Sequence, residues 1–222
     1  KDAHNQLIHL VGMMARPSGT ISDEERSAIE IAIESMWRMH KNNTTITLIS
    51  EFLEHKEDPI FKNIGRLLHS YTKHGRYARY FEPPCSLDFN KHLVVLELGG
   101  LDKNKELQKI VSKILMYQIG NAMYYKPKDI PKSCLMDEAY EHLADDGKNG
   151  NANFANEGYR RAPKYGGNFI TIAHGMDDYE NNPTAKMCYD NAHFKLFLGA
   201  SKRTIDVLKK GNQLDPYGER LI

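Results

Sequence analysis

Cysteine is scarce in this chain of 222 residues: Cys85, Cys134 and Cys188 are widely spaced, odd in number and free of any Cys-x-x-Cys pair. That excludes a disulfide framework and a cysteine-rich zinc module, and it fits a reducing, cytosolic compartment. Charge of one sign is also lacking. With 30 basic against 29 acidic residues and a formal net charge of +1, there is no global attraction for nucleic acid or a membrane surface, and only local patches could supply one. No apolar run approaches the length of a membrane span, and there is neither a secretory signal nor an initiator Met. The start at Lys1-Asp2-Ala3 reads as a fragment or a processed form. Catalytic signatures are missing too: no His-Glu-x-x-His, no Gly-x-Ser-x-Gly, and ten histidines scattered without metal-ligand spacing.

What is present is ample apolar material, 41% of the chain, enough for a substantial core. Leu7, Ile8, Leu10, Val11 and Met14 recur at helical spacing, and Arg16-Pro17-Ser18-Gly19 ends that helix. Ser22 with Glu25 forms a capping box ahead of Ile29, Ile31, Ile33, Met36 and Trp37. Thr45 caps a helix through Leu48, Ile49, Phe52 and Leu53, and Pro59 opens another through Ile64, Leu67 and Leu68. Residues 1–82 are therefore expected to be an all-helical subdomain. The run Tyr71, Lys73, His74, Arg76, Tyr77, Arg79, Tyr80, Phe81 closes it. Aromatics interleaved with basic groups suit single-stranded nucleic acid, but tyrosines packed in a turn are the favoured reading.

Residues 83–222 read as alternating strands and helices. Leu93 to Leu98, stopped by Gly99-Gly100, has the near-continuous apolar character of a strand buried on both faces, with Glu97 favoured as a structural group. A long helix from about Lys103 to Tyr124 leads to a strand at Cys134-Leu135-Met136, which ends in Asp137 and Glu138. Next come a short helix through Tyr140 and Leu143, the polar loop 145–151, and a helix from about Ala152 that carries Arg160 and Arg161. Phe169 to Ala173 is a further strand, closed by His174. Thr184 to Asn191 reads as a helix, His193 to Leu198 as a strand, and Ser201 caps a final helix that Gly211 ends. Strand, helix, strand alternation predicts a mainly parallel sheet with right-handed crossovers, whose strand C-termini share one rim. On that rim Asp137 and Glu138 can divide work, one holding a cation's water shell and the other polarising a water.

The strings Leu93-Val-Val-Leu-Glu-Leu-Gly-Gly-Leu101, Leu135-Met-Asp-Glu-Ala139, Glu157-Gly-Tyr-Arg-Arg-Ala162 and Tyr165-Gly-Gly-Asn-Phe-Ile-Thr-Ile172 closely resemble the C-terminal ATPase domain of the TraC family, the conjugative-transfer ATPases of type IV secretion systems. Gln6 to Trp37 and Tyr71 to Phe81 are similar to that family's helical insertion, so the likeness covers nearly the whole chain. It implies a RecA-like P-loop NTPase core, here lacking its P-loop strand, with an N-terminal helical subdomain. It also implies ATP and Mg²⁺ as cofactors, a homo-oligomer that is hexameric in the family, and secretion-system partners at the cytoplasmic side of the inner membrane. Nucleic acid stays open as a partner. By position, Asp137 matches the Walker B aspartate that supports Mg²⁺, Glu138 the glutamate that orients the hydrolytic water, and Arg160 and Arg161 the arginine-rich helix that reaches a neighbour's nucleotide. For those arginines a solvated helix face is an equal reading.

The departures are specific. No Gly-x-x-x-x-Gly-Lys-Ser/Thr occurs: the only Gly-Lys, Gly147-Lys148, is followed by Asn149, and its first glycine would fall at His142. His174 stands where the family has a Gln that senses the γ-phosphate, Pro163 where a basic residue is expected, and Tyr140 where Trp is common. In the family the P-loop strand lies between the strands matching Phe169 to Ala173 and His193 to Leu198. Its absence is expected to leave two apolar strand edges to be filled by rearranged pairing or by a neighbouring subunit. The expected function is part of a secretion ATPase, inactive alone and not binding ATP by itself. The alternatives are a non-catalytic oligomerisation or interaction module, and a metal-dependent nuclease using Glu97, Asp137, Glu138 and His174.

Overall fold

A computed structural model of the chain describes residues 2–82, 87–101, 103–138, 151–199, 201–211 and 217–218. The chain divides into two compact units, Lys1–Ile114 and Leu115–Ile222. The subdomain expected over 1–82 lies wholly within the first.

In the first unit, local signals set the helix ends. Helix α1 spans Asp2–Ala15 and α2 spans Asp23–His40. The expected capping box is formed: Glu25 N donates to Ser22 Oγ at 3.2 Å and Ser22 N to Glu25 Oε2 at 2.9 Å. Thr45 caps α3, Ile46–Glu54, and Asp58 with Pro59 opens α4, Pro59–Leu68. Each cap satisfies amides that the first turn leaves without partners. Ile8, Ile29, Leu53, Ile64 and Leu68 are almost wholly buried in one cluster, each worth about 1.5–3 kcal/mol relative to exposure. Tyr71 and Tyr77 are buried in the same cluster, with ring centroids 5.3 Å apart. Two of the three tyrosines in the run that suited nucleic acid are thus core residues, while Tyr80 is exposed, and Asn104 Nδ2 donates to the Tyr77 hydroxyl at 2.6 Å. A short helix α5, Ala78–Phe81, follows.

Helix α6, Lys105–Tyr125, runs through the boundary between the units. Leu107 and Ile110 belong to the first core, Met116 and Met123 to the second. The second unit holds strands β1, Lys132–Met136, and β2, Gly167–Thr171, with helices α7, Asn151–Arg161, α8, Met176–Glu180, α9, Pro183–Asn191, and α10, Lys202–Lys210. The strands pair in parallel, with Lys132 opposite Gly167 and Met136 opposite Thr171. Cys134, Met136 and Phe169 face a core with Ala155, Ala162, Ala185 and Cys188.

Three strand expectations are corrected. Among the described residues the sheet has only β1 and β2. Leu93 to Leu98 is irregular chain, with Leu93 80% exposed, and His193 to Leu198 is likewise irregular, with Phe194 96% exposed. An apolar run becomes a strand only where a neighbour takes up its N–H and C=O groups, and neither run has one among the described residues. Nor are β1 and β2 buried on both faces, since Leu135, Ile170 and Ile172 are exposed. The short helix expected after Glu138 and most of the loop after it lie outside the described residues; Asn151 itself begins α7.

Gly65 of α4 allows a close approach to α3. A Cβ at Gly65 would stand 2.6 Å from Glu54 Cγ and 2.9 Å from Ser50 O, and Ser50 Oγ donates to Gly65 O at 2.8 Å. In an isolated helix Gly→Ala stabilises by about 0.5–1 kcal/mol. Here Gly65→Ala is expected instead to lower the urea-unfolding free energy by about 1–3 kcal/mol, because the backbone on one side of the contact cannot give way.

Candidate functional site

Parallel pairing of β1 with β2 puts both strand ends on one rim, and the ladder continues to Ile172, whose N–H donates to Met136 O at 2.9 Å. The next residues on β1 are Asp137 and Glu138, both exposed. Glu138 N donates to Asp137 Oδ1 at 3.0 Å, and Glu138 takes φ 47. A non-glycine residue in the left-handed region costs about 1–3 kcal/mol and clusters at functional sites. The turn swings the Glu138 carboxylate toward the second strand end, where His174 Nε2 lies 3.9 Å from Glu138 Oε1. The side chains are 73% and 49% exposed, so this pair adds little stability. The expected grouping of Asp137, Glu138 and His174 on one rim is present.

His174 is held through its backbone. Asp178, at the start of α8, accepts from His174 N at 3.0 Å and Gly175 N at 3.3 Å. Beneath the rim, the Tyr159 hydroxyl from α7 accepts from Thr171 N at 3.1 Å and lies 2.9 Å from Thr171 Oγ1. Tyr179 OH donates to Thr171 O at 3.3 Å. Burial raises the pKa of both tyrosines, which keeps their hydroxyls protonated. These groups tie the arginine-bearing helix to the strand that ends in His174. A Gly-x-x-Asp helix start at Gly175 to Asp178 signals the Asp178 contact in the sequence; nothing local signals Tyr159.

The two arginines differ. Arg161 Nη1 donates to Glu157 Oε2 at 3.0 Å, and its guanidinium sits 5.2 Å from the Tyr124 ring centroid. Arg160 is exposed. Glu97 lies in the first unit, its Oε1 accepting from Gly99 N at 2.9 Å, and so closes a local turn. Asp137 fits Mg²⁺ by donor chemistry, since that ion takes one or two carboxylates and completes its shell with water and phosphate oxygens.

Comparison with known proteins follows the same line. The model of the TraG P-loop domain matches residues 19–210. The chain belongs to the TraG P-loop domain family. It is 30% identical over 224 aligned residues to Protein TraC of Escherichia coli (strain K12), an alignment covering 93% of this chain and 25% of TraC. The chain thus spans about a quarter of that relative's length. Its fold is similar to that of VirB4 of Thermoanaerobacter pseudethanolicus, with a TM-score of 0.71 and 14% identity over 99% of this chain and 63% of VirB4. The resemblance to the conjugative-transfer ATPases is borne out, and so is the α/β fold class.

Two outcomes test this region. Tyr159→Phe removes the acceptor of the Thr171 N–H and should cost about 1–3 kcal/mol in urea unfolding. Burial pushes the Cys134 and Cys188 thiols up to about 11 from 9.0. Below pH 9 both folded and unfolded states keep these protons. Between pH 9 and about 11 only the unfolded state releases them, so stability falls as pH rises. The double variant Cys134→Ala, Cys188→Ala is expected to show a shallower alkaline loss of stability in urea titrations across that window.

Proposed function

We propose that this chain carries the metal and water side of the nucleotide site in a type IV secretion ATPase that energises pilus assembly and DNA transfer from the cytoplasmic side of the inner membrane. The observation that carries this reading is the rim itself: parallel strands end at Asp137 and Glu138 on one side and His174 on the other, with a His174–Glu138 separation of 3.9 Å. Family membership and the likeness to TraC support it.

In this reading the core is RecA-like and β1 is the Walker B strand. Asp137 supports Mg²⁺ through its shell, and that ion supplies charge neutralisation at the phosphates when bound. Glu138, turned by its left-handed backbone, orients the attacking water and accepts its developing proton. His174 donates a hydrogen bond where a sensor amide otherwise would. Exposed Arg160 is the better placed of the two arginines to reach a neighbouring subunit's nucleotide in a homo-oligomer, because Arg161 is held by Glu157. The 222 residues contain no Walker A sequence, so the phosphates lack their cradle of backbone amides and lysine. Alone, the chain neither binds nor hydrolyses ATP.

A second reading, a non-catalytic interaction module, draws on the exposed apolar run Phe194 to Leu198, which pairs with no strand among the described residues and so suits strand addition from another chain.

Nucleotide binding and turnover by the isolated chain decide the matter, with Glu138→Gln as the control. No ATP turnover is expected from either form. Turnover that Glu138→Gln abolishes would show a complete site within these residues. In the TraG-family ATPase that supplies a Walker A, Glu138→Gln should lower kcat by about 10²–10⁴-fold with nucleotide binding retained, and an unchanged kcat would rule out the role assigned to Glu138.

A further inference from the structure

Helices α1 and α2 pack so that one imidazole meets two carboxylates. Glu30 and Glu34 are one turn apart on α2 and present their side chains along the same face. His4, from the first turn of α1, points Nε2 between them, 3.4 Å from Glu30 Oε1 and 3.7 Å from Glu34 Oε1. The ligand atoms of all three residues lie within 4.8 Å of one another. The Nε2 atom itself is shielded from solvent and makes no hydrogen bond, although the three side chains are only partly covered.

A protonated histidine bonded directly to a carboxylate would close to about 2.7–2.9 Å, and here it closes to neither. The spacing fits chelation instead. Metal bonds of about 2.0–2.2 Å arranged tetrahedrally separate neighbouring donor atoms by about 3.3–3.5 Å. The charges also agree, since two carboxylates and a neutral imidazole balance a divalent cation. Basic side chains do not compete for these carboxylates: Arg26, one turn before Glu30, donates to Asn5 Oδ1 at 3.3 Å, and among the described residues no Lys or Arg pairs with Glu30 or Glu34.

We propose that His4, Glu30 and Glu34 bind one divalent transition-metal ion of the zinc type, with water as fourth ligand, as a clamp joining α1 to α2. Imidazole nitrogen in a three-ligand set selects a d-block ion over Mg²⁺, which demands octahedral oxygen coordination. Nothing in this assignment depends on the nucleotide site, whose carboxylates are in the other unit. Because its ligands come from two helices, bound metal stabilises the folded state by mass action.

The test uses the full 222-residue chain, stripped with chelator and titrated with Zn²⁺ alone, Co²⁺ alone and Mg²⁺ alone. Zn²⁺ at about a hundredfold above its Kd is expected to raise Tm by about 5–10 °C, with one ion per chain by calorimetry. Co²⁺ is expected to give the visible absorption bands of a tetrahedral site, and Mg²⁺ to give no shift. His4→Ala and, separately, Glu34→Gln should each abolish the Zn²⁺ shift and the Co²⁺ bands while circular dichroism without metal matches the parent. A Zn²⁺ shift of the same size in both variants would overturn the assignment, as would a parent chain that shows no shift. A Mg²⁺ shift as large as that of Zn²⁺ would overturn the choice of metal class.

Discussion

The parallel hydrogen bonds between Lys132–Met136 and Gly167–Thr171 are the constraint on which the second unit's chemistry depends. Two short strands are marginal by themselves. They persist because one face is closed by α6, α7 and α9 through Phe169, Met123, Phe154 and Cys188. Phe169 is the pivot, with the Phe154 ring centroid 5.5 Å away and Tyr159 at 6.2 Å. Gly158 lets α7 lie directly on that ring, since a Cβ there would come within 2.5 Å of it. The same close approach delivers the Tyr159 hydroxyl to Thr171, so that the packing which makes the core also fixes the end of the strand leading to His174.

Beyond that pair, apolar sequence outruns apolar burial. Leu135, Ile170 and Ile172 on the open face of the sheet, and Phe194, Leu196 and Leu198 beyond α9, are all exposed. Both groups have the composition of core strands, and in both the backbone partner or covering layer that would bury them is not among the described residues. Hydrophobic burial needs a second surface as much as a first. The polar rim is held by short local devices instead: Asp137 accepting from Glu138 N, and Asp178 accepting from His174 and Gly175 amides.

Much of this was legible beforehand where the signal is local. Ser22 with Glu25, Thr45, Asp58 with Pro59, and Ser201 set their helix starts because a cap acts within one turn. The Asp137-Glu138 pair at a strand end marked the rim for the same reason: a strand of known direction fixes where the next residues emerge. The runs at Leu93 and His193 misled because a continuous apolar stretch reports burial potential, while a strand is a property of two segments. Tyr159 and the cluster of His4 with Glu30 and Glu34 were invisible because their partners are brought together from separate elements, with no spacing rule between them.

By itself, then, the amino-acid sequence determined most of the longer helices and their caps, the two strands that pair in parallel and the identity of the rim carboxylates, because the signals for these act over a few residues. Tertiary structure alone decided which apolar runs became strands, the left-handed turn that aims Glu138 at His174, the tyrosine contacts under the rim and the meeting of His4 with two glutamates. Those depend on distances between segments far apart in the chain, and only packing sets such distances.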